Sequence, residues 1–226
     1  MKVFIYSLCL ITPGISLIAQ DCSKFYYMQD NKTIEITISN KKGNVVGKNI
    51  YAVSNVTGNG TTRTATLQSE FFDAKGKSIN KAVNNIKCQN GVMMMDMKML
   101  IPSAQQEQIN PSTAKADDVY LEYPAGMKVG DNLKDGQFKM DFENSSGLKS
   151  SIEISITERT VEGQETVTTT AGTWNCFKIS ANNKMTTRIA GIGIPIKMTV
   201  TEWFAPGFGV VKTESAGGKT EITSIN

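Results

Sequence analysis

Apolar and polar residues alternate one by one along most of this chain. Ile34, Ile36 and Ile38 alternate with Glu35 and Thr37; Ile152, Ile154 and Ile156 alternate with Glu153, Ser155 and Thr157; Met198 and Val200 alternate with Thr199 and Thr201 and lead into Trp203. Successive side chains of a strand point to opposite faces, so this period buries one sheet face and wets the other, as antiparallel sheets do. The abundant threonine, valine and isoleucine are the residues strands prefer. Turn signals separate the runs: Lys41-Lys42-Gly43-Asn44, Asp73-Ala74-Lys75-Gly76, Asn90-Gly91, Glu162-Gly163, Gly217-Gly218 and the longer Asn144-Ser145-Ser146-Gly147. Asn90-Gly91 is the strongest, because both residues tolerate positive φ in a tight hairpin. Gly191-Ile192-Gly193-Ile194-Pro195 also reads as a turn between strands, not as a phosphate cradle, which would need a helix to follow. The pattern predicts a meander of hairpins.

One stretch departs from the pattern. Pro102 to Asp118 is rich in Ser, Ala, Gln and Lys. It reads as a short helix around Ser103–Gln108 or as a loop over the sheet. The expected fold is all-β: a single antiparallel, strongly curved sheet forming an open or half β-barrel, with one short helix available to cover its mouth. No fixed repeat or shift of composition marks a second domain.

Met1-Lys2, the apolar run Val3 to Ile18 and the switch to polar sequence at Ala19-Gln20-Asp21 have the order of a cleaved signal peptide. Cleavage is expected after Ala19, with Gln20 as the alternative, giving a signal peptide over 1–19 and one secreted β domain over 20–226. Asp21 stands where a lipid-anchored Cys22 would need a small residue before it, which argues against lipidation. The formal net charge of +3 is too small for electrostatic nucleic-acid binding, and no basic stripe stands out. No later segment is apolar enough to span a bilayer as a helix. Cys22, Cys88 and Cys176 follow the leader, so an oxidising compartment gives one disulfide and one spare thiol. Sequence does not fix the pair; Cys22–Cys88 is preferred because it ties the N-terminal arm to a hairpin.

Histidine is absent from the chain, which excludes Ser-His-Asp and Cys-His catalysis and removes the commonest metal ligand. Asp117-Asp118 and Asp131 with Asp135 lack calcium-loop spacing and read as solvated or capping residues. No metal, cofactor or catalytic residue is expected. Met93, Met95, Met97 and Met99 would share one face of a strand, with Met94, Asp96 and Lys98 on the other. Same-face residues lie about 7 Å apart, too far for one soft ion to be held by all four. Methionine is a flexible apolar filler, and the row fits either core or the lining of an apolar cavity. Trp174, Phe177, Trp203, Phe204 and Phe208 form a second apolar set, fitted to closing the core or to anchoring a ligand. Met93, Met95, Met97, Trp174, Trp203 and Phe204 are the ligand-binding candidates.

Three stretches carry a resemblance to a known family. They are Asp118-Val-Tyr-Leu-Glu-Tyr-Pro124 followed by Val129-Gly-Asp-Asn-Leu-Lys-Asp-Gly136; Thr168-Thr-Thr-Ala-Gly-Thr-Trp-Asn-Cys-Phe-Lys-Ile179; and Glu202-Trp-Phe-Ala-Pro-Gly-Phe-Gly-Val-Val-Lys-Thr-Glu214. Together with Cys22 and Cys88, they resemble the TapB-like secreted bacterial proteins, relatives of a DUF3108-like domain of unknown function. The resemblance covers most of the chain after the leader. It implies a secreted, curved antiparallel β fold and supplies no catalytic residue. The expectation is therefore a non-enzymatic protein of the periplasm or cell surface. Its partner would be a lipid or other apolar small molecule or, on the alternative reading as a structural or interaction module, another envelope protein. An enzyme using carboxylates or the spare thiol is the third and least supported reading.

Overall fold

The computed structural model describes residues 21–226; the expected signal peptide over 1–19 lies outside the described residues. Thirteen strands form one antiparallel sheet. They are β1 (Thr33–Asn40), β2 (Val45–Gly58), β3 (Thr62–Asp73), β4 (Ser78–Gln89), β5 (Val92–Asp96), β6 (Lys115–Ala116), β7 (Tyr120–Pro124), β8 (Gly136–Glu143), β9 (Lys149–Thr169), β10 (Gly172–Ile189), β11 (Ile192–Ala205), β12 (Gly209–Ser215) and β13 (Gly218–Ile225). Two sequential meanders, β1 to β5 and β8 to β13, are zipped edge to edge by β1 against β13, with Ile34 opposite Ile225.

Local chemistry sets the hairpins. Asn90 and Gly91 take φ of 51° and 79°, the paired positive values a two-residue turn needs. Three longer turns use one device. Asn40 Oδ1 accepts from the backbone N–H of Lys42 and Asn44, Asp73 Oδ1 from Lys75 and Lys77, and Asn144 Oδ1 from Ser146 and Leu148. Each side chain stands in for a backbone turn, as Asx residues do. The expected Gly217-Gly218 turn is shifted by one residue, since Gly218 opens β13, and two others fall elsewhere. Glu162-Gly163 lies inside β9, where the register against β10 slips by one residue, so the pair forms a bulge. The β10–β11 turn is Ala190-Gly191, and Ile192 already belongs to a strand.

The expected strongly curved open or half barrel does not form. The strands run in one linear order with β6 and β7 at its two ends, and no ladder joins those ends. The chain leaves the first meander after β5 and returns as β6 beside β8 and β7 beside β5, so the strands that would have to meet are sent to opposite edges. β6 has only two residues, and β7 ends on Pro124, which has no N–H to offer. The expected short helix is a single turn, Ser103–Gln106 (α1).

Most of the core lies on one face of the sheet. In β8, Gly136, Phe138, Met140 and Phe142 are buried while the residues between them are exposed. Phe138 pairs with Ile154 and Met140 with Ile152 of β9, so the two strands bury a continuous apolar stripe. A disulfide joins Cys22, in a 3-10 turn capped by Asp21, to Cys88 of β4, with Cα atoms 5.7 Å apart. Its loop spans 66 residues and pins the N-terminal arm to the sheet. The Cys22 sulfur is engaged in this bond. Cys176 is free and buried.

Candidate functional site

The site begins where β5 stops. The Asp96 carboxylate accepts from the Lys98 N–H at 2.9 Å and caps a 3-10 turn over Met97–Leu100. A short acceptor at this position ends a strand and starts a helical turn. The expected row of Met93, Met95, Met97 and Met99 on one strand face is therefore broken after Met95. The turn carries Met99, Leu100 and Ile101 across the sheet, and α1 follows. Gln106 fixes this cover: its Nε2 donates to the Ile101 carbonyl at 2.6 Å, and its Oε1 accepts from Asn80 Nδ2 of β4.

Beneath the cover lies a cavity of about 680 Å³ with mainly apolar walls. Ile36, Tyr51, Phe71 and Val211 come from the sheet, Met95 from β5, and Met99, Leu100 and Ile101 from the cover. Other hollows are smaller and more polar, such as the one of about 480 Å³ beside Asp117, Glu153 and Lys184. The large cavity also has a polar end. The fully buried Tyr123 donates from its hydroxyl to Glu202 Oε2 at 3.0 Å, and both residues line the cavity. The Tyr123 ring stacks on Phe204 with centroids 5.1 Å apart. The guanidinium of the buried Arg159 lies 4.7 Å from the same ring. Arg159 donates to the carbonyls of Glu122 and Lys134 at 3.0 and 2.8 Å, tying β9 to β7 and to the segment before β8.

Electrostatics follow from burial. Desolvation raises the Glu202 carboxyl above its ordinary value, opposed by the Arg159 charge and the Tyr123 hydrogen bond. Tyr51 is pushed up to about 12 by burial, against a hydrogen bond from Asn49 Nδ2 to its hydroxyl at 3.0 Å. Tyr27 is raised well above its ordinary value by burial first, then by its tyrosine neighbours. These phenols stay protonated and uncharged. The Cys176 thiol is pushed up to about 11 by burial and by Glu165, which leaves little thiolate for nucleophilic chemistry. Asp118 is exposed and accepts from Lys98 Nζ at 2.7 Å, which holds its carboxyl below the usual range. Among the described residues no group of three or more His, Cys, Asp or Glu is placed to hold a metal ion. What remains is a binding geometry: an apolar space with one hydrogen-bonded acid at its wall.

Of the ligand-binding candidates read from the sequence, Met95 lines this cavity. Phe204 stands behind it through Tyr123. Met93 is buried against Gly209 and Met97 against Gly136, as packing. Trp174 packs on Phe208, 5.2 Å between centroids. Trp203 points to the other face, donates from Nε1 to Glu165 and lies under Lys212 Nζ at 4.4 Å. Sequence reasoning missed Tyr27, Tyr51, Tyr123 and Glu202. Glu202 left a readable signal: it shares the Met198, Val200 and Phe204 face of its strand, an acid on an otherwise apolar stripe. The tyrosines left none, because their meeting depends on strands far apart in sequence.

Fold and site define an all-β protein with one covered apolar cavity. Residues 29–226 match the family described as DUF3108-like, and the chain belongs to that family. Two solved structures share its fold. One, from Bacteroides fragilis NCTC 9343, is named as an exported protein with a YmcC-like fold; it is 23% identical, covers 88% of this chain and 96% of its own, and has a TM-score of 0.70. The other, from Parabacteroides distasonis ATCC 8503, is named as a lipoprotein; it is 20% identical, covers 92% of this chain and 100% of its own, and has a TM-score of 0.73. Among curated proteins none matches the chain. No helix among the described residues is long and apolar enough to cross a membrane.

Proposed function

We propose that this is an exported, non-enzymatic binding protein whose covered cavity takes one apolar or lipid-like molecule. The observation that carries the reading is the cavity of about 680 Å³ between the sheet and the Met99–Gln106 cover, with Met95, Met99, Ile36 and Phe71 among its walls. Ligand sites of this size are mostly apolar with a few placed polar groups, and Tyr123 with Glu202 supplies that group here. Methionine walls adapt to flexible chains. Export is supported by the leader-like start of the sequence and by the names of the two structural relatives.

The test is native mass spectrometry of the exported protein, followed by solvent extraction. The reading expects a reproducible extra mass that extracts as an apolar molecule. A clean ligand-free mass, together with no uptake of added long-chain alcohols or fatty acids, contradicts it.

A further inference from the structure

β11 is one strand with two environments. Ile192, Ile194, Ile196, Met198, Val200, Glu202 and Phe204 alternate onto one face. At one end Phe204 is fully buried, whereas Ile196, Ile194 and Ile192 at the other are 43, 67 and 75% exposed. Ile189, directly across the hairpin from Ile192, is 37% exposed. The face that packs the core thus continues past the end of its cover as a bare isoleucine ladder at the tip of a hairpin. Isolated exposed apolar residues are ordinary, but four isoleucines within eight positions are a patch.

The other face of the same hairpin is basic. Lys184 stands directly opposite Lys197, and Arg188 folds over Gly193, where a Cβ would lie 2.7 Å from the guanidinium. Between Lys178 and Glu202 the hairpin has these three cations and no carboxylate. Glu153 of β9 reaches Arg188 at 3.5 Å, and Asp117 shares a hollow with Lys184. Among the described residues, neither Lys184 nor Lys197 is in a salt bridge. Like charges directly opposed across a sheet cost some stability, and an anion brought to the root of the apolar tip would offset that cost.

We propose that this hairpin tip inserts into an anionic lipid surface. The isoleucines would enter the acyl boundary obliquely. Lys184 and Lys197, five residue pairs or about 17 Å behind Ile192, would stay among anionic headgroups. Two alternatives fit the same residues less well. Strand addition at the free edge of β11 is blunted by Pro195, which has no N–H to donate to a ladder. A second copy seated on the isoleucines would leave Lys184 and Lys197, on the opposite face, without a counter-charge.

Co-sedimentation with vesicles tests this. The exported protein is mixed at low ionic strength with phosphatidylcholine vesicles or with vesicles of equal parts phosphatidylcholine and phosphatidylglycerol. It should pellet with the second and much less with the first. Ile192→Ser/Ile194→Ser, at unchanged melting temperature, should lower the bound fraction about tenfold. Lys184→Glu/Lys197→Glu should remove the preference for the anionic vesicles. No binding of the wild-type protein to anionic vesicles, or equal binding by the serine variant, overturns the proposal. So does a concentration-dependent dimer that the serine substitutions abolish, which would assign the patch to a second copy.

Discussion

The two ends of β11 use the same alternation for opposite purposes. At the Phe204 end the apolar face meets Tyr123, Phe177 and the bulk of the core, and even an acid on that face, Glu202, is buried and hydrogen-bonded. At the Ile192 end nothing among the described residues covers the equivalent face. The pattern of residues is continuous, so the difference comes from what crosses above the strand. Alternation decides which face is apolar; the non-local path of the chain decides how much of that face is sealed.

The first way to sharpen the contrast is to truncate at each end. Phe204→Ala removes a fully buried ring stacked on Tyr123 and should cost about 4 kcal/mol in denaturant unfolding. Separating Cys22 from Cys88 by substituting both with serine should cost about 4 kcal/mol as well, given the 66-residue loop, and the loss should match that produced in the wild type by reductant. Arg159→Ala, which leaves two carbonyls and Glu202 without their cation, should cost about 3 kcal/mol by the same measurement.

Glu202→Gln gives a smaller effect that depends on pH. Burial raises the folded-state pKa of Glu202, so its neutral form is favoured in the fold and ionisation works against folding. The destabilisation begins above the ordinary carboxylate pKa and is complete once pH passes the raised folded value. The glutamine variant should gain stability relative to wild type as pH rises through that window, and the difference should close in acid. Thermal melts of both proteins from about pH 4 to about pH 8, across the ordinary carboxylate range and above it, would read it. Ile194→Ser, at the bare end of the strand, should move stability by no more than about 0.5 kcal/mol.

Much of this was legible in the sequence because it is local. Period-two runs located the long strands, and the Asx and Asn-Gly turns marked most hairpins. The part of the cover after Pro102 was readable as a break in the pattern, whereas Met99 to Ile101 read as a continuation of the strand. Other features were hidden by competition between local signals. Asp96 sits at an alternating position of a methionine strand, yet its carboxylate caps the next turn and ends the strand. Gly163 looks like a turn glycine, yet β9 runs through it as a bulge because β10 is long enough to hold both sides. Closure was misread for a third reason. Curvature and edge pairing depend on which strands meet after long crossings, and the crossing between β5 and β8 sends β6 and β7 to opposite ends of the sheet. The cavity's polar end was unreadable for the same reason, since Tyr123, Arg159 and Glu202 lie on three strands well separated in sequence.

The central claim is that the space beside Met95 is a binding cavity. A fluorescence titration with the apolar probe N-phenyl-1-naphthylamine tests it most directly, comparing wild type with Met95→Trp, whose larger side chain would fill the space, after their melting temperatures have been matched. Saturable uptake of one probe per wild-type chain, lost in Met95→Trp, is the predicted result. No uptake by the wild type, or the same uptake by both proteins, would contradict it.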